Sequence, residues 1–179
     1  MKVFIFWVTL FSIFSFGFLV NGQSLKKELE PLSFFLGEWD GSGKAPEGPS
    51  ALTRNYELVM DGNFIRMENS ALFNPAKKGD NPPHEDFGVF SYDKTRNKIV
   101  FRQFLSEGFV NQYTVDIRDS GKTIIMETES IENLGAGFKA RYEIKILGPN
   151  SFSEDFYLSS PGKESKCLIK NKFERMESE

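Results

Sequence analysis

The chain has 179 residues, a formal charge of −3, 40% hydrophobic and 26% charged residues. That is the balance of one ordinary globular domain, which excludes disorder, collagen and coiled coil, and it lacks the basic excess of a nucleic-acid binder. One Cys and one His exclude a disulfide framework and a multi-Cys or multi-His metal site, while 19 Phe stand out.

Lys2 precedes an apolar run from Val3 to Val20, and small residues close it at Val20-Asn21-Gly22. A basic start, an apolar middle and a small-residue exit predict a secretory signal peptide over 1–22. The expectation is an exported protein, periplasmic or secreted, with no membrane attachment after cleavage and one domain over 23–179. An uncleaved anchor is the alternative, since the run reaches the lower edge of a membrane span.

Residues 24–36 read as a short helix opening at Ser24 and ended or kinked by Pro31. Beyond Leu36 the helical period gives way to short alternating runs. Strands are expected over 37–43, 51–60, 63–73, 87–93, 98–105, 109–118, 122–129, 138–147, 151–159 and 166–175. Asp61-Gly62-Asn63, Asp93–Asn97, Asp119-Ser120-Gly121 and Gly148-Pro149-Asn150 supply turns between them. The polar, Pro-rich stretch 74–86 reads as one long surface loop carrying His84, whose bland reading is a solvated side chain.

The run 138–146 sets Phe138, Ala140, Tyr142, Ile144 and Ile146 on one face and Lys139, Arg141, Glu143 and Lys145 on the other. One dry and one wet face mean an antiparallel sheet over a core. About ten such strands with short connections and almost no helix predict an all-β fold, a closed antiparallel up-and-down barrel.

Polar residues recur on the inward faces: Arg54, Asn69, Gln103, Asn111, Glu154 and Asn171, with Tyr56 and Tyr113 among their apolar neighbours. Burying such groups unpaired costs about 1–3 kcal/mol each. They must pair with each other, as in an Arg54–Glu154 ion pair, or with water or a ligand. Cys167, between Lys166 and Leu168, reads as a buried small hydrophobe. The Gly41–Lys44 and Ser120–Lys122 stretches lack phosphate-loop spacing, and no catalytic or metal-binding motif occurs.

Gly37-Glu38-Trp39 opens the first strand and Glu174-Arg175 closes the last. Here the chain resembles the calycin superfamily, the lipocalin-like ligand-binding barrels. The resemblance implies that Trp39 crosses the closed end and that Arg175 packs on it. The fuller run Leu36–Gly43 resembles nitrobindin-like haem-binding β-barrels and related secreted barrels. Those proteins hold haem iron through a histidine near the barrel's end. This chain has no histidine after His84, with Cys167 and Asn171 among its closing residues, so the resemblance gives haem no matching ligand here.

The expected function is a small-molecule-binding barrel holding an apolar or amphipathic ligand, with Arg54, Tyr56, Asn69, Gln103, Asn111, Tyr113, Glu154 and Asn171 lining the lumen. The alternatives are a cofactor-free isomerase or hydrolase using Glu154 or His84 as base, and a structural or partner-binding barrel with a filled core.

Overall fold

The computed structural model describes residues 24–75 and 82–177. The expected signal segment, and residues 76–81 of the Pro-rich stretch, lie outside them. The described chain is a closed barrel of ten strands: β1 (Gly37–Ala45), β2 (Gly48–Val59), β3 (Phe64–Phe73), β4 (His84–Asp93), β5 (Lys98–Leu105), β6 (Val110–Arg118), β7 (Thr123–Glu132), β8 (Lys139–Gly148), β9 (Ser151–Ser159) and β10 (Lys166–Arg175). Each strand pairs antiparallel with the next, and β10 returns to β1. Closure gives every strand two partners and leaves no exposed edge.

Period two decides which side chains fill the interior. On β2, Ser50, Leu52, Arg54 and Tyr56 are buried, while Ala51 and Thr53 between them are exposed and Asn55 is half-buried. Two inward-facing glycines let aromatic rings lie flat across the sheet. A Cβ on Gly41 would stand 2.6 Å from the Phe173 ring, and one on Gly88 2.2 Å from Phe101. The hairpins use left-handed backbone at Met60, Asp61 and Gly62, at Asn97, and at Asp119, Ser120 and Gly121, residues suited to such turns except Met60.

The N-terminal element differs from expectation. It is a 3₁₀ helix over Lys27–Phe35, with Pro31 inside it and no side chain capping its start. Its three buried residues, Leu29, Leu32 and Phe35, explain why. They recur every three residues, and only a helix of three residues per turn aligns them on one side.

That helix closes one end of the barrel. Trp39 is fully buried and donates Nε1–H to the Phe35 carbonyl at 2.7 Å. The Arg175 guanidinium lies 4.2 Å from the Trp39 ring centre and donates to the carbonyls of Leu36 and Phe34 at 2.6 and 2.5 Å. A flat cation on the indole spends its donors where the chain leaves the helix.

Strand limits also move. β1 and β2 reach further toward the opposite end, to Ala45 and Gly48. β4 begins at His84, three residues earlier than expected, because His84, Glu85 and Asp86 pair with Ala71, Ser70 and Asn69. Pro82-Pro83 therefore ends the connection, and His84 is a strand residue. Cys167 is half-buried, not buried, because a bulge between Cys167 and Ile169 breaks the alternation.

Candidate functional site

Ladder register brings polar residues from seven strands into one interior layer. Arg54 stands opposite Asn69, and Asn69 opposite Asp86. Gln103 stands opposite Asn111, and Glu154 opposite Asn171. All seven are buried, as is Ser50.

Most of their hydrogen-bonding capacity is used on one another. Arg54 grips Glu154 through both terminal nitrogens, at 2.6 and 3.1 Å, and donates Nε–H to Asn69 at 3.0 Å. Asn69 and Gln103 each donate to Asp86 at 2.8 Å. The Tyr113 hydroxyl donates to Gln103 at 3.2 Å, Asn111 donates to that hydroxyl at 3.1 Å, and Asn171 donates to Glu154 at 3.2 Å. The result is an unbroken ladder from Asn171 to Asn111, with Tyr56 beside Arg54 at 3.4 Å.

His84 ties this ladder to the surface. Its Nδ1 lies 2.6 Å from Glu107, and its Nε2 lies 3.5 Å from Asp86. The bond to Asp86, opposed by burial and helped by Glu107, raises the imidazole to about 9. Burial pushes the Asp86 carboxyl up, but His84, Gln103, Arg54 and Asn69 together hold it below its ordinary value. Burial opposes the Arg54 charge, and Glu154, with Tyr56 and Asp86, more than offsets it. With His84 protonated, two cations face two carboxylates and the interior is electrically balanced.

Among the described residues, three buried oxygens have no hydrogen-bond partner: Ser50 Oγ, Asn111 Oδ1 and Asn171 Oδ1. Each of the two asparagines spends an N–H on the ladder and leaves its carbonyl oxygen unpaired.

The lumen wall is uneven. Most inward apolar residues are buried, on β2–β5 (Leu52, Tyr56, Ile65, Met67, Phe90 and Phe101) and on β7–β10 alike (Ile124, Met126, Ala140, Ile144, Phe152 and Phe173). On β7–β10 the inward Ile131, Tyr142, Phe156, Leu158 and Ile169 are only half-buried. Position at the rim does not account for this. Ala140 lies nearer the end of β8 than Tyr142 and is 3% exposed. Tyr142 also has its phenol pKa pushed up, chiefly by burial. Tyr142 thus keeps accessible surface on the inner face of the barrel, away from the end of its strand. Tyr142 packs on Phe156 and Tyr113 at ring separations of 4.8 and 5.6 Å, so the apolar wall adjoins the ladder.

All eight expected lumen residues thus sit on the inner face. The sequence reading missed Asp86 and Ser50, and it placed His84 in a loop. The Asp86-x-Gly88-x-Phe90 alternation held the signal for Asp86 and His84, and Pro82-Pro83 obscured it. A concavity of about 760 Å³ lies elsewhere, on the outer face of β1–β5.

No protein-family profile matches the sequence, and no curated protein is significantly similar. Among solved structures, Rv2717c from M. tuberculosis superposes with a TM-score of 0.60 at 17% identity, covering 86% of this chain and 100% of that one. A de novo designed fluorescence-activating β-barrel gives 0.41 at 14% identity over 80% of this chain and 94% of the design. A redesigned β-barrel gives 0.43 at 12% identity over 81% and 94%. The first of these likenesses shows a shared barrel fold.

Proposed function

We propose that this chain is an exported, calycin-type barrel that holds a small, largely apolar molecule in the β7–β10 half of its lumen. The observation that carries this reading is the half-buried inner wall of Ile131, Tyr142, Phe156, Leu158 and Ile169 inside a closed barrel. Binding sites of this kind pair an apolar wall with a few placed polar groups. The ladder beside that wall, with free acceptors on Asn111 and Asn171, supplies them. The Gly37-x-Trp39 opening and the Arg175 stack support the calycin assignment, and the 1–22 segment supports export.

The lumen donors do not suit haem iron. His84 has both ring nitrogens engaged and is held protonated. Tyr113 is bonded to Gln103 and Asn111, and burial raises the Cys167 thiol. The same engagements weigh against Glu154 or His84 as a catalytic base. A filled core is the second reading, favoured by the Arg54–Glu154 pair, since internal pairing needs no ligand.

Titration with Nile red, a neutral apolar dye, separates the two. The proposal expects saturable, blue-shifted emission that is lost when Ile169→Trp fills the wall and kept in a control substituted on the outer face. Emission that ignores Ile169→Trp would contradict a lumen site.

A further inference from the structure

The barrel's outer face should be polar wherever it meets water, and over β4 and β5 it is not. Phe87 and Phe104 stand opposite each other in the ladder with outward side chains, 46% and 38% exposed. Their rings stack at 4.9 Å and 12°. They lie in the outer concavity of about 760 Å³, which crosses β1–β5 and is completed by the exposed Met176. Its charged lining residues with outward side chains are Glu38, Glu68 and Glu85, and no lysine is among its lining. Arg54 also contributes to that lining, but its side chain points inward to Glu154.

Glu68 meets Arg66 at 3.4 Å, and Arg66 is held more closely by Glu57. Among the described residues, Glu38 and Glu85 have no ion-pair partner. On the neighbouring outer face Arg102 donates to Ser91. Among the described residues the groove therefore combines an exposed aromatic pair with two glutamates, Glu38 and Glu85, that lack an ion-pair partner.

We propose that this groove docks an extended segment of a partner protein that alternates arginine or lysine with apolar residues. Charge complementarity chooses the occupant. Guanidinium groups stack on aromatic faces and pair with carboxylates, whereas a second copy of this chain would set glutamates against glutamates. An anionic membrane surface is repelled for the same reason. The groove is open to solvent along its length, unlike the enclosed pockets that bury most of a small ligand. Five strands span about 19 Å, which about six extended residues cross. A closed barrel offers no strand edge for pairing, so recognition runs through side chains.

The test is fluorescence anisotropy of two labelled hexapeptides on the full chain, one alternating Arg and Leu, the other Glu and Leu. The Arg peptide should bind saturably, and added salt should weaken it. Phe87→Ser with Phe104→Ser should weaken it about tenfold or more, as loss of a central aromatic anchor does. Glu38→Gln with Glu85→Gln keeps both rings and should also weaken it, so the proposal stays testable should the double Phe variant fail to fold. No binding of the Arg peptide, equal binding of the two peptides, or Arg-peptide binding unchanged by the folded variants would overturn the proposal.

Discussion

At the scale of single residues, the interior is governed by four charges. Arg54 and Glu154 are buried together, so removing one leaves the other uncompensated. Arg54→Ala should cost on the order of 3–5 kcal/mol by denaturant unfolding. The double change Arg54→Met with Glu154→Leu should cost much less, because it removes both charges. His84 sets a pH dependence. Its imidazole rises from 6.5 to about 9 in the fold. Its contribution is therefore complete below pH 6.5, declines as pH rises toward 9 and is absent above that. Asp86 works in the opposite direction. Its contribution is complete above pH 3.8 and is lost as pH falls through the depressed value. Unfolding midpoints should fall between pH 6.5 and 9 in the natural chain and stay flatter there in His84→Gln. Strand parity made six of the seven ladder residues legible in the sequence. Asp86 escaped because its strand follows two prolines and looks like loop, and the pairing with β3 that extends the strand is a long-range fact.

At the scale of elements, the barrel's closed end is a set of flat contacts. Trp39 touches the Phe152 ring at 4.8 Å, the Arg175 guanidinium and the helix carbonyl of Phe35. Trp39→Ala should cost about 3–5 kcal/mol, as truncation of a buried aromatic does, and the natural chain's tryptophan emission should be that of a buried indole. Gly41→Ala should cost about 1–3 kcal/mol by unfolding, since its methyl would press into the Phe173 ring. The strands were readable from alternation and turn residues. The 3₁₀ form of the N-terminal segment was not. Pro31 and Ser24 suggested a broken α-helix, while the three-residue spacing of Leu29, Leu32 and Phe35 takes its meaning from the barrel end that buries it.

At the scale of the whole molecule, a buried core fills most of the barrel, from Leu52 and Phe101 to Ile144 and Phe173, while Ile131, Tyr142, Phe156, Leu158 and Ile169 keep accessible surface on the inner wall of β7–β10. The ladder that holds Arg54, Asp86 and Glu154 adjoins that wall through Tyr113, whose ring lies 5.6 Å from Tyr142. That difference could not be read from sequence, because Phe101 and Phe156 are alike in type and parity and differ only in what the opposite wall supplies. Native mass spectrometry of the chain purified from its own host, beside Ile169→Trp shown to be folded by circular dichroism, decides whether the lumen holds a ligand. An added small-molecule mass is expected on the unmodified chain, released on denaturation and missing from the variant; the bare polypeptide mass in both would rule out a lumen ligand.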